Sequence, residues 1–162
     1  MSNTKRQIVC SDLDNCVIGT SPIKRILVPF DSSKYSERAF ALALDLAHHY
    51  GASLTTVTIL YENPSTDIAI RHQTTINKEK INKMEKKFQK LKEIAGKFGV
   101  VVKNDVFQRD EVLEPILSYI TSRKIDLVVM GSRARTGPHR FVLGSIAMGV
   151  CKNAKCPVML VK

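Results

Sequence analysis

The chain has 162 residues, 44% of them apolar and 25% charged, with a formal net charge of +10. That composition suits one folded domain with a sizeable core and excludes a disordered chain. Trp is absent and aromatic residues make up only 6%, so the core must be mainly aliphatic. No stretch approaches the roughly 20 apolar residues of a membrane span. The run Ile8-Val9-Cys10 behind Lys5 and Arg6 is too short for a signal-peptide core, so the expectation is a cytoplasmic protein with no membrane partner.

Residues 1–22 differ from the rest. Short apolar pieces are broken by Ser, Asp, Asn and Gly, which suggests a loosely ordered or strand-like extension. Cys10, Cys16, Cys151 and Cys156 match no usual zinc spacing, and compartment logic makes them ordinary reduced cysteines. The domain proper spans residues 23–162.

Arg25 to Phe30 is a short apolar run that suits a buried parallel strand, and Asp31-Ser32-Ser33 suits a helix N-cap. Ala39, Leu42, Ala43, Leu46, Ala47 and Tyr50 recur at helical spacing until Gly51. Leu54 to Leu60, rich in Thr, Val and Ile, reads as the second strand. A polar connection over 61–73 contains Pro64. A helix follows over 75–97, with Ile76, Met84, Phe88, Leu91, Ile94 and Ala95 on one face and lysines on the other. Val100 to Phe107 is the third strand. Asp110 is placed to cap a helix carrying Val112, Leu113, Ile116, Leu117 and Ile120, with Pro115 in its tolerant first turns. Ile125 to Met130 is the fourth strand, Phe141 to Asn153 a helix, and Pro157 to Val161 the fifth strand.

Strands and helices therefore alternate. The fold class expected is α/β: a single doubly wound, five-stranded parallel sheet of Rossmann-like type, in the order 3-2-1-4-5, with helices on both faces. In such a sheet ligands sit outside the carboxyl ends of the strands, where the order reverses. The two ends that meet there are Pro29-Phe30-Asp31-Ser32 and Met130-Gly131-Ser132-Arg133-Ala134. Gly131 lets the backbone turn sharply and approach a ligand. Gly144-Ser145 lies near the start of the next helix, where free N–H groups and the macrodipole favour an anion. Arg133, Arg135, His139 and Arg140 add positive charge. Together these features make a phosphate-type loop from Gly131 to Ser145. The bland alternative is a tight strand-to-helix turn, with Asp31 as a helix cap.

These motifs resemble the universal stress protein family. The matching residues are Ile26 to Ser33, Asp126 to Arg133, Thr136-Gly137, Val142-Leu143-Gly144-Ser145 and Cys156-Pro157-Val158, and the resemblance spans residues 24–162. The nucleotide-binding branch of that family has Gly, two residues, Gly, nine residues, then Gly-Ser or Gly-Thr. Gly131 and Gly144-Ser145 fall in register with it, and Ala134 replaces the middle glycine. The resemblance implies an adenine nucleotide as ligand, ATP foremost, AMP or a cyclic nucleotide as alternatives, and Mg²⁺ arriving with ATP. It implies that Asp31 meets the ribose or adenine side, that Pro29 and Ile59 line the base pocket, and that Met130 and Gly131 contact ribose and phosphates. Ser132, Arg133, Gly144, Ser145 and Ile146 would meet the phosphates, with Ala134 at the departed position. It also implies a homodimer through the apolar last strand, Val158 to Val161, a sheet edge in the expected order.

Other candidates carry less. No nucleophile, base and orienter form a set, so no catalytic residue is assigned and weak ATP hydrolysis is the most that is expected. His48 and His49 are adjacent on a helix and cannot face the same way, and no metal site is assigned. His72 lies in the polar connection, and His139 lies where it would assist a phosphate. The lysine face of helix 75–97 is interrupted by Glu79, Glu85 and Glu93 and reads as a solvated face. Nucleic acid is therefore an unlikely partner. The functional expectation is a stress-response regulatory protein that binds nucleotide. The alternatives are a scaffold member of the same fold whose phosphate site is disabled at Ala134, and a polyanion binder using the lysine face.

Overall fold

The computed structural model describes residues 6–20, 22–61, 67–133 and 143–162. The elements in chain order are β1 (Arg6–Cys10), β2 (Cys16–Thr20), β3 (Arg25–Pro29), α1 (Lys34–Tyr50), β4 (Ser53–Tyr61) and α2 (Asp67–Gly96). They continue with β5 (Val102–Arg109), α3 (Leu113–Ser122), β6 (Leu127–Gly131), α4 (Ser145–Asn153) and β7 (Val158–Val161). Five of the strands form one parallel sheet in the order β5-β4-β3-β6-β7, the expected 3-2-1-4-5.

The central strands are buried on both faces, and side chains alternate between two cores. Ile26 and Val28 of β3 and Leu127 and Val129 of β6 join Phe40, Leu44, Phe88 and Leu91 under α1 and α2. Leu27 of β3 and Val128 and Met130 of β6 join Ile116, Tyr119, Ile120, Ala147 and Val150 under α3 and α4. The near-continuous apolar runs in the sequence follow from this double coverage.

Helix limits show which local signals won. Ser33 caps α1, its Oγ accepting from Ser36 N at 3.1 Å, and Gly51 ends the helix at φ 65°. Asp31 serves that cap one step back, its Oδ1 accepting from Ser33 N at 2.9 Å. The helix expected over 75–97 begins at Asp67, inside the stretch read as a polar connection. The third strand begins at Val102 instead of Val100, because Val100 N still donates to Ala95 O in the turn that closes α2. Asp110 does not cap α3. β5 runs on to Arg109, and the cap position falls on Val112 without a side-chain bond. The last helix begins at Ser145, since Gly144 takes an extended conformation (φ −59°, ψ 144°). Residues 141 and 142 lie outside the described residues.

The N-terminal extension forms an antiparallel hairpin of β1 and β2, separate from the five-stranded sheet. Its cysteines overturn the expectation of reduced thiols: Cys10 and Cys16 are cross-strand register partners and are joined by a disulfide. Zinc spacing and compartment were the wrong tests, because adjacency across a hairpin is what pairs these two. Cys151 and Cys156 are free. Because the hairpin shares no strand pairing with the body among the described residues, removing residues 1–20 is expected to leave the main thermal transition within about 2 °C of the full chain, measured by calorimetry.

At the amino ends of the strands, opposite the candidate site, Asp126 staples β6 to β3. Its carboxylate accepts from Lys24 N, from Arg25 N and from the Arg25 guanidinium at 2.9–3.2 Å. Burial pushes this carboxyl up, but those hydrogen bonds and the Arg25 charge outweigh it and hold it below its ordinary value. A depressed carboxylate adds stability above the unfolded value of about 3.9, and that stability is lost as pH falls through the folded value. Asp126→Asn is therefore expected to cost about 1–2 kcal/mol at pH 7, with the difference from wild type shrinking below about pH 4. Urea unfolding at several pH values measures both.

Candidate functional site

The carboxyl ends of β3 and β6 bound a cleft of ≈ 260 Å³. From β3 and the turn after it come Pro29, Phe30 and Asp31; Val57 and Ile59 come from β4. Met130, Gly131 and Arg133 come from β6 and its end, and Gly144, Ser145, Ile146 and Ala147 from the start of α4. Of the residues expected from the sequence, Pro29, Asp31, Ile59, Met130, Gly131, Arg133, Gly144, Ser145 and Ile146 are brought together here. Ser132 is buried behind the wall instead. Its backbone N donates to Val161 O at 2.8 Å and its carbonyl accepts from Gly144 N at 2.9 Å. Ser132 thereby pins the two ends of the Gly131–Ser145 loop together. Ala134, Arg135, His139 and Arg140 lie outside the described residues.

Sequence reasoning missed the contribution of α3. Val112 and Ile116 complete the apolar side of the cleft, and Ser36 enters from the first turn of α1. The helical pattern in the sequence marked Val112 and Ile116 as core, and only the crossover of α3 onto the β6 side puts their edges in the cleft.

Gly131 is needed for a packing reason that its position in the sequence did not suggest. A Cβ there would lie 2.7 Å from Tyr35 Cβ, 2.9 Å from Tyr35 C and 3.1 Å from Ser36 N. The close approach is thus between the end of β6 and the first turn of α1. It sets the narrow spacing of β3, α1 and β6 on which the cleft depends.

The turn after β3 is held in a costly conformation. Ser32 has φ 65°, a region non-glycine residues seldom adopt. Lys87 of α2 fixes it, its Nζ donating to Ser32 O at 3.2 Å and to Glu37 Oε1 at 2.8 Å. This orientation presents the exposed Asp31 at the cleft, with one carboxylate oxygen used by Ser33 N.

The two helices that start at the cleft differ in charge. Neither α3 nor α4 has a side-chain cap. Glu114 in the first turn of α3 disfavours an anion, whereas the first turn of α4 holds no acidic residue. At α4, Gly144 N and Met148 N are engaged, with Ser132 O and Gly144 O. The N–H groups of Ser145, Ile146 and Ala147 precede the first intrahelical bond and lie in the wall of the cleft beside Arg133. The arrangement offers apolar walls at one end, a carboxylate at the β3 turn, and convergent N–H donors with a guanidinium at the other. A larger cavity of ≈ 740 Å³ lies between α1 and α2. Position at the strand ends and convergence of polar groups, not volume, single out the smaller cleft.

The universal stress protein family model matches residues 22–162, all five strands of the sheet and both walls of the cleft. The chain belongs to the universal stress protein family. A universal stress protein of Methanocaldococcus jannaschii is 29% identical over 145 residues, covering 89% of this chain and 85% of that one. A universal stress protein from Lactobacillus plantarum shares the fold with a TM-score of 0.81 at 22% identity, over 88% of this chain and 100% of that one. One from Archaeoglobus fulgidus, solved in complex with dAMP, has a TM-score of 0.62 at 22% identity, over 86% and 98%. Structures of the same fold at 19% identity carry AMP, in Arabidopsis thaliana (TM-score 0.59, over 86% of this chain and 91% of that one), and cAMP (TM-score 0.63, over 88% and 98%).

Proposed function

We propose that this universal stress protein binds an adenine nucleotide, ATP foremost, in the cleft between the ends of β3 and β6, and acts in the stress response as a regulatory binding protein. The observation that carries the reading is the uncapped start of α4 opening into the cleft next to Arg133 and across from Asp31. Such a helix start suits phosphate oxygens, which accept from free N–H groups and gain from the dipole. Asp31 accepts hydrogen bonds from ribose hydroxyls. Pro29, Val57, Ile59, Val112 and Ile116 form the apolar side for the base. Met130 and Gly131 adjoin the ribose, and Arg133, Ser145 and Ile146 the phosphates, with Ser132 acting through the loop it pins. The cleft is slightly smaller than the roughly 300–1,000 Å³ usual for small-molecule sites. It would hold base and sugar, leaving the outer phosphates towards the Gly131–Ser145 loop. Universal stress proteins of this fold solved with dAMP, AMP and cAMP support an adenine ligand.

Asp31 is the one carboxylate lining the cleft among the described residues, so Mg²⁺ accompanying ATP would be held largely by the phosphates. The β7 edge supports a homodimer: among the described residues β7 is paired only with β6, and Met159 and Leu160 are exposed on it. Met159→Glu is expected to shift a dimer towards monomer in sedimentation velocity.

The test is mass spectrometry of ligand released from freshly purified protein, with thermal shift in millimolar ATP–Mg²⁺ and AMP. Released adenine nucleotide, or a clear rise in melting temperature, supports the proposal. Absence of both would favour the scaffold alternative, and gain of binding in Ala134→Gly would then locate the obstacle in one methyl group.

A further inference from the structure

The cavity of ≈ 740 Å³ between α1 and α2 is separate from the nucleotide cleft and falls within the roughly 300–1,000 Å³ of small-molecule sites. Its floor is apolar: Phe30, Phe40, Leu44, Leu91 and Ile94, with the half-exposed Phe98 at one end. The walls are two regular helices whose backbone groups are already bonded internally, so the groove offers no row of donors or acceptors to an extended peptide. A ligand filling it must be apolar along its length, since a buried polar group would find no partner.

The lips are charged asymmetrically. On α2, Lys86, Lys87 and Lys90 line the groove; on α1, Glu37, Asp45 and His48 do, the His48 ring Nδ1 lying 2.9 Å from Phe98 O at the far end. Lys87 is occupied by Glu37 and Ser32 O, whereas Lys86 and Lys90, one helical turn apart, have no ion-pair partner among the described residues. A single anionic head therefore has one place to go, on the α2 lip, away from the α1 carboxylates. We propose that the α1–α2 groove binds one long-chain acyl carboxylate, its chain along the apolar floor and its carboxylate on Lys86 and Lys90. The chain supplies affinity by leaving water, and the lysines set the register. This site does not depend on nucleotide binding.

The test is calorimetric titration of nucleotide-free full-length protein with dodecanoate below its micelle concentration, and separately with dodecanol and with phosphatidylglycerol vesicles. Saturable one-to-one binding of monomeric dodecanoate is expected. Ala41→Trp, at an exposed position on the α1 lip, fills the groove and is expected to weaken it at least tenfold. Lys86→Glu with Lys90→Glu is expected to weaken dodecanoate roughly fivefold or more while leaving dodecanol unchanged. Absence of saturation, indifference to Ala41→Trp, equal effects of the lysine changes on dodecanol, or binding to vesicles alone would overturn the proposal. Both variants alter exposed positions and are expected to fold, which circular dichroism checks.

Discussion

Gly131→Ala is expected to destabilise the protein by about 2–3 kcal/mol, a drop of roughly 5–10 °C in melting temperature. The added methyl meets Tyr35 Cβ at 2.7 Å and the Tyr35 carbonyl carbon at 2.9 Å, and neither atom can step aside without moving the first turn of α1. Ser33, Ser36 and Asp31 are tied together in that turn, so relief of the clash displaces the β3 lip of the cleft. Nucleotide affinity should fall with stability. Gly149→Ala provides the control. Its methyl would come within 2.6 Å of Leu113 Cδ2, but this is the far end of a flexible side chain. Gly149 also sits inside α4, where alanine gains up to about 1 kcal/mol of helix propensity. A near-neutral Gly149→Ala beside a costly Gly131→Ala, both by chemical denaturation, separates backbone clash from side-chain crowding.

Ser145→Glu is expected to weaken AMP and ATP by about tenfold to a hundredfold while leaving adenosine within about twofold and folding stability unchanged or slightly raised. The same dipole produces both effects. Ser145 is the first residue of α4 and is exposed in the cleft wall. A carboxylate there suits the positive end of the helix, so the fold tolerates or favours it. It also occupies and neutralises the donor set that a phosphate needs. Equal loss for adenosine and AMP would place the phosphates elsewhere, and a loss of stability would show that Ser145 serves the fold.

Much of this architecture was legible because it rests on patterns that local chemistry sets. The central strands are buried on both faces, so they read as unbroken apolar runs at 26–30 and 127–130. α1 carries a serine cap and a closing Gly51, and its limits followed. Where signals were non-local, reading failed. Cys10 and Cys16 pair because a hairpin puts them opposite each other, which a spacing rule for metals does not address. The cap assigned to Asp110 gave way because β5 extends along β4 as far as Tyr61 and Arg109. Nine of the expected residues line the cleft, eight of them at the two strand ends and the helix start, and Ile59 of β4 through the family resemblance. Val112 and Ile116 were not expected there, since their place in the cleft comes from how α3 crosses the sheet. Gly131 has a structural cause that its position in the sequence did not show. The sequence shows that a side chain is absent but not which neighbour requires its absence.

The central claim is that phosphate-bearing adenine ligands occupy the cleft, and one calorimetric experiment tests it most directly: titration of AMP and of ATP–Mg²⁺ into nucleotide-stripped protein, run alongside Ser145→Glu. The account predicts saturable binding, one nucleotide per chain, that the substitution weakens at least tenfold. No saturable heat up to millimolar nucleotide, or binding that Ser145→Glu leaves untouched, would contradict it.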